Sequence, residues 1–144
     1  MNKEYCVGVI GYSAQRFDKV VAGLFLNRVC DFVKLSHPDK NISVVSGLTD
    51  LGMPAIAYRE AKSLGWKTVG VACTKAEEYE TFNVEKRKIV GDNWGDESRT
   101  FLDSIDMLVC VGGGNQSKRE LEEWKKTGKP FIEYNLPASL EERA

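Results

Sequence analysis

Met107-Leu108-Val109-Cys110-Val111-Gly112-Gly113-Gly114-Asn115-Gln116-Ser117 runs five apolar residues into three glycines and then into a helical pattern. An unbroken apolar run of this length reads as a strand covered on both faces. Consecutive glycines let the chain reach positive φ and let another group come close to the main chain. From Ser117 to Thr127 the spacing of Leu121 and Trp124 predicts a helix, which Gly128 closes. A buried strand, a glycine turn and a helix make up the repeating unit of an α/β fold with a parallel sheet.

The neighbouring sequence repeats that unit. Tyr5 to Gly11 reads as a buried strand, and Ile42 to Val45 and Lys67 to Cys73 as two more. Between the first two, Phe17, Val20, Val21, Leu24, Phe25, Val29, Phe32 and Val33 recur at three- and four-residue steps, predicting a helix with one apolar stripe. Ser36-His37-Pro38-Asp39-Lys40-Asn41 ends it as a turn. A helix from Gly52 to Leu64 is expected, with Pro54 in its first turn and Gly65 as its C-terminal cap. Ala76 to Phe82 reads as a short helix, Lys88 to Val90 as a short strand, Gly91 to Asp96 as a loop and Glu97 to Ser104 as a helix. Phe131 to Tyr134 is the final strand. Alternation of this kind implies right-handed crossovers and parallel pairing. The expected fold is a single three-layer Rossmann-like domain over residues 1–144, with a mainly parallel sheet.

Composition limits the function. With 144 residues, 42% hydrophobic and 28% charged, the chain fits one folded domain. A net charge of -1 gives no overall field to gather nucleic acid or an anionic membrane. No stretch has the length of a membrane span, and the N-terminal residues from Met1 do not read as a secretory signal, so a cytoplasmic location is expected. Cys6, Cys30, Cys73 and Cys110 form no CxxC pair and lie far from His37, so reduced, mostly buried thiols and no metal site are expected.

In open parallel sheets, ligands bind beyond the carboxyl ends of the strands. Three turns leave strands there: Gly11-Tyr12-Ser13, Ser46 to Gly52, and Gly112 to Ser117. At the last, the free N–H groups of the following helix suit a phosphate or carboxylate. A tight turn that needs small residues for packing is the competing explanation. Neither GxGxxG nor a Walker loop is present, which argues against hydride transfer from a dinucleotide and against ATP hydrolysis, and no resident cofactor is expected.

Several residues carry two readings. Ser117 and Glu120 match a capping box, but Glu120 also falls one helical turn in from the glycines, where a carboxylate serves a ribose or a glycosidic bond. Thr49 and Asp50 are either caps for the helix at Gly52 or hydrogen-bond partners for a sugar. Arg59 is either solvated or a ligand contact. Arg99, near a helix start, has the chemistry for a forked contact to phosphate. Trp94 either stacks on a base or plugs the sheet edge.

The strand-turn Val9-Ile10-Gly11-Tyr12-Ser13, the turn Ser46-Gly47-Leu48-Thr49-Asp50-Leu51-Gly52-Met53 and the segment Gly112-Gly113-Gly114-Asn115-Gln116-Ser117-Lys118-Arg119-Glu120 together resemble a known superfamily. It contains the LOG phosphoribohydrolases, the molybdenum-cofactor carrier-like proteins and the DNA-processing protein A fold. LOG proteins carry Pro-Gly-Gly-x-Gly-Thr-x-x-Glu. Here Gly112 stands for the proline, Gln116 for the third glycine and Ser117 for the threonine. The resemblance implies a nucleotide or phosphosugar ligand, bound by Gly11, Ser13, Gly47, Thr49, Asp50, Gly112, Gly113, Gly114, Asn115, Gln116 and Ser117, in a homodimeric sensor or carrier. It also implies an alternative: cleavage of a nucleoside 5′-monophosphate, with Glu120 and Arg99 as catalytic candidates. A structural subunit with a vestigial pocket is the third possibility.

Overall fold

In a computed structural model, which describes residues 3–139, six parallel strands form one sheet in the order β4-β3-β2-β1-β5-β6. The elements are β1 (Glu4–Gly11), α1 (Lys19–Ser36), β2 (Asn41–Ser46), α2 (Gly52–Ser63), β3 (Lys67–Ala72), β4 (Lys86–Ile89), α3 (Ser98–Asp103), β5 (Met107–Val111), α4 (Asn115–Lys125) and β6 (Phe131–Tyr134). Met1 and Asn2, part of the N-terminal stretch considered above, lie outside the described residues.

Strand alternation divides the interior into two layers. Val7 and Val9 of β1 and Met107, Val109 and Val111 of β5 pack with α1 and α2. Ile10, Leu108 and Cys110 face the other way, toward Phe101, Leu102, Leu121 and Trp124 of α3 and α4. Trp124 is 1% exposed, and its Nε1 donates to the Pro130 carbonyl at 2.9 Å, which satisfies its one polar atom. The chain winds outward from β1 to β4, crosses back through α3 to β5, and ends at β6. The strand order therefore reverses direction between β1 and β5.

Three local expectations are corrected. Ala76 to Phe82 is not a helix: a 3-10 turn covers Thr74–Glu78, and Thr81 instead pairs with Thr49 in an antiparallel bridge. The short strand begins earlier than predicted, at Lys86, because Val69 and Gly70 of β3 supply the ladder there. The apolar stripe of α1 is also rotated. Asp18, not the stripe, starts the helix, its carboxylate accepting from the amides of Val20 and Val21 at 3.1 Å. Ala22, Leu26, Val29, Cys30 and Val33 then meet the sheet, while Val20, Leu24 and Phe32 face outward.

All four cysteines are free, and Cys30, Cys73 and Cys110 are buried. Burial pushes the Cys30 and Cys110 thiols up to about 12, so neither is a ready nucleophile. Among the described residues no helix is long and apolar enough to cross a membrane.

The turn after β5 is held from several sides. Gly112 donates its N–H to the Tyr134 carbonyl at 2.9 Å, and the Tyr12 hydroxyl donates to the Leu136 carbonyl at 2.9 Å. Gly112 has φ 61°, and a Cβ there would run into the Tyr12 ring and the Leu136 carbonyl. Gly112→Ala therefore combines left-handed strain with overpacking and should destabilise the protein by about 1–3 kcal/mol. Urea unfolding reads this as a lower midpoint at unchanged slope; an unchanged midpoint would show that the turn relaxes freely.

Candidate functional site

A cavity of about 310 Å³ lies at the carboxyl ends of the central strands. It borders the place between β1 and β5 where the strand order reverses, where this architecture leaves a crevice. Its walls are the turn Gly11 to Gln15 after β1, Ser46 to Thr49 after β2, and Gly114 to Ser117 after β5. Trp94, Glu97, Phe101 and Glu120 close the remaining side.

The walls are fixed by buried hydrogen bonds. The Ser46 hydroxyl donates to the Val9 carbonyl at 2.6 Å, tying β2 to β1 just below the cavity. The Tyr58 hydroxyl lies 2.6 Å from the Gly47 carbonyl and 2.9 Å from that of Val69, which fixes the second turn from beneath. The Met53 amide donates to the Tyr12 carbonyl at 2.8 Å, joining the first turn to the start of α2.

The predicted start of α4 is corrected by two residues. Gly114, not Ser117, is the N-cap, and no side chain caps the helix. Ser117 sits inside the first turn and donates to the Gly11 carbonyl at 3.3 Å. The amides of Asn115, Gln116 and Ser117 belong to the first turn, where an α-helix supplies no intrahelical acceptor. All three residues line the cavity. The capping-box reading fails with this shift, and Glu120 is released for another role.

Glu120 is 6% exposed, as is Glu97 beside it. Glu120 Oε2 accepts from the Ser98 hydroxyl at 2.6 Å and from Gln116 Nε2 at 3.4 Å. Glu97 Oε1 accepts from the Gly95 amide at 2.8 Å, and its Oε2 lies 3.3 Å from the same Gln116 nitrogen. One amide group thus bridges two buried carboxylates. Loss of hydration pushes the Glu120 carboxyl above the usual range, and the Glu97 charge adds to it; the Ser98 and Gln116 bonds and the nearby Arg119 act the other way.

Of the residues singled out from sequence, Gly11, Ser13, Gly47, Thr49, Gly114, Asn115, Gln116, Ser117 and Glu120 meet at this cavity. Gly112 and Gly113 do not line it. Their freedom is used for packing, since a Cβ on Gly113 would lie 2.6 Å from that of Ser117. Asp50 does not line it either; it pairs with Arg59 at 3.1 Å. Neither Thr49 nor Asp50 caps α2, whose N-cap is Leu51. Arg99 projects into solvent, 81% exposed and 4.0 Å from Asp103, away from the cavity. Glu97 was missed, because a single glutamate at a helix start carries no sequence signal of its own. Trp94, 47% exposed, does line the cavity.

Among the described residues, Glu97 and Glu120 are the only charged side chains on the cavity wall, and no cluster of metal-ligating side chains is present. A group whose folded pKa is raised contributes most below its unfolded value and loses that contribution as pH rises through the folded one. Glu120→Gln should therefore gain stability relative to the natural protein as pH climbs from 5 to 8. Thermal midpoints across that range test this, and a constant difference would show that Glu120 titrates normally.

No family model and no curated protein matches the chain. Solved structures do. The molybdenum cofactor carrier protein of Chlamydomonas reinhardtii superposes with a TM-score of 0.70 at 21% identity, covering 92% of this chain and 77% of its own. The molybdenum cofactor binding protein of Rippkaea orientalis gives 0.72 at 19% identity, over 90% and 76%. A structural-genomics target, TM1055, gives 0.65 at 22% identity, over 88% and 72%. The six-stranded parallel sheet, the reversal between β1 and β5 and the glycine turn into α4 are thus those of a Rossmann-like domain, and the chain has the fold of the molybdenum-cofactor carrier proteins.

Proposed function

We propose that this chain binds a small phosphate-bearing ligand, a nucleotide or a nucleotide-derived compound, and acts as a carrier or sensor. The uncapped first turn of α4, opening into a cavity at the reversal of strand order, carries this reading. Backbone amides with no intrahelical acceptor and the positive end of the helix dipole favour negative oxygen atoms. The volume of about 310 Å³ is at the small end of ligand cavities. The sugar and base side of such a ligand would meet Thr49, Trp94 and the two glutamates. Two of the fold relatives are described as binding or carrying molybdenum cofactor, in keeping with a carrier role.

Hydrolysis of a nucleoside monophosphate is the second reading, and Glu120 favours it: a buried carboxyl with a raised pKa is the usual form of a general acid. Against it, no cation lines the cavity among the described residues to neutralise the phosphate of a substrate, and Arg99 points elsewhere. Carrying therefore fits the geometry better than cleavage.

Two measurements test the proposal. In thermal-shift assays with AMP, GMP and inorganic phosphate, a ligand at a hundredfold excess over its Kd stabilises by about 2.7 kcal/mol, or roughly 8 °C for a chain of this size. Asn115→Pro removes one first-turn amide while keeping the helix, because proline is tolerated at that position. It should weaken binding about tenfold, the worth of one charge-assisted hydrogen bond; unchanged affinity would exclude the amide cradle. Incubation with AMP should release no free base by chromatography, and release that disappears in Glu120→Gln would install the hydrolase reading instead.

A further inference from the structure

The segment that joins β4 to α3, residues 90–97, reaches the cavity with two side chains, Trp94 and Glu97. It is held in one shape. Gly91 and Gly95 take φ 73° and 102°, and the Asp96 carboxylate accepts from the amides of Asp92 and Asn93 at 3.1 and 3.0 Å. The Ser98 amide donates to the Gly95 carbonyl at 3.1 Å, which joins the loop to the start of α3. An indole and a carboxylate therefore meet the same space, ordered before a ligand enters.

The fold leaves binding capacity on both. Trp94 is 47% exposed, and the neighbouring Tyr79 ring is tilted by 56° at 6.1 Å between centroids, so it does not stack on the indole. The carboxylates are short of donors. Glu97 Oε1 and Glu120 Oε2 each accept one short bond, from the Gly95 amide at 2.8 Å and the Ser98 hydroxyl at 2.6 Å. Glu97 Oε2 has only the Gln116 nitrogen at 3.3 Å, which is shared with Glu120 at 3.4 Å. Glu120 Oε1 has no partner among the described residues, although the side chain is buried. An ionised carboxylate accepts at about four lone-pair sites, so acceptor positions stay open to whatever fills the cavity.

Such a wall discriminates among bases. Guanine carries a ring N–H beside an amino group, two adjacent donors. Hypoxanthine keeps the ring N–H and lacks the amino group. Adenine carries one amino group beside a bare ring nitrogen, whose lone pair would face a carboxylate oxygen. A site built to accept from a donor rejects an analogue without it, because its own polar groups are then left unpaired. Stacking on an indole tolerates every base, so Trp94 contributes affinity and not choice.

We propose that Glu97, with Glu120 beside it, selects a guanine-type base, one with a ring N–H and an amino group side by side, stacked on Trp94. This rests on the reading of the cavity as a site for a phosphate-bearing ligand.

Titration calorimetry of the full chain with ribose 5-phosphate, AMP, IMP and GMP tests it. GMP should bind about tenfold tighter than IMP and about a hundredfold tighter than AMP, the worth of one and two hydrogen bonds to a charged group. If IMP or AMP matches GMP while ribose 5-phosphate still binds, the choice of base is overturned and the phosphate reading stands. No binding by any of the four overturns both. Glu97→Gln keeps an oxygen for the Gly95 amide and turns the other acceptor into a donor. It should reduce the preference for GMP over IMP about tenfold and leave ribose 5-phosphate affinity unchanged; an equal loss for every ligand would show that Glu97 only shapes the loop. Trp94→Ala should weaken all three nucleotides about tenfold with their order kept, and unchanged affinities overturn the stacking. The ranking on the natural protein decides the choice of base even where a variant fails to fold.

Discussion

Two strand-to-helix turns approach each other more closely than side chains would allow. The turn after β5 brings Gly113 to within 3.3 Å of the Gly11 α-carbon, measured from the position a Cβ would take, and the Ser117 hydroxyl reaches the Gly11 carbonyl. Gly112 is pressed in the same way against the Tyr12 ring. This contact fixes where α4 begins relative to β1, and so where its first amides point. The crevice at the strand reversal exists because the main chains meet here without intervening side chains. The glycines are therefore structural, and the cavity wall they create belongs to their neighbours, Gly114 to Ser117 on one side and Tyr12 to Gln15 on the other.

The architecture was legible because buried parallel strands leave a strong mark. Val7 to Gly11, Ile42 to Val45 and Met107 to Val111 admit few alternatives as apolar runs ending in glycine or small residues. The site was legible only at the level of turns. Ser117 and Glu120 match a capping box, and local sequence cannot show that the helix starts two residues earlier, because packing of Ser117 against Gly11 decides it. Glu97 reaches the cavity only through the crossover from β4 to β5, a tertiary event with no local signature.

The rotation of α1 has a related cause. Periodicity gives this helix one broad apolar stripe, and the part of it that meets the sheet is decided by packing. The capping of Asp18 and the small Ala22 and Cys30 select the face that approaches the sheet, since small side chains let the helix lie close. Of the residues predicted to point inward, Val20, Leu24 and Phe32 are left on the outside.

The cavity wall combines opposite tendencies. First-turn amides offer hydrogen-bond donors, while Glu97 and Glu120 offer acceptor oxygens, and Gln116 stands between them with its backbone in the first group and its side chain bridging the second. A ligand that is anionic at one end and rich in hydrogen-bond donors at the other matches such a wall in only one orientation.

The outermost strand, β4, carries Lys86, Arg87 and Lys88 along the free border of the sheet. Repeated positive charge discourages another extended peptide from zipping onto those unpaired main-chain groups. Growth by adding sheet to sheet is therefore suppressed at this margin.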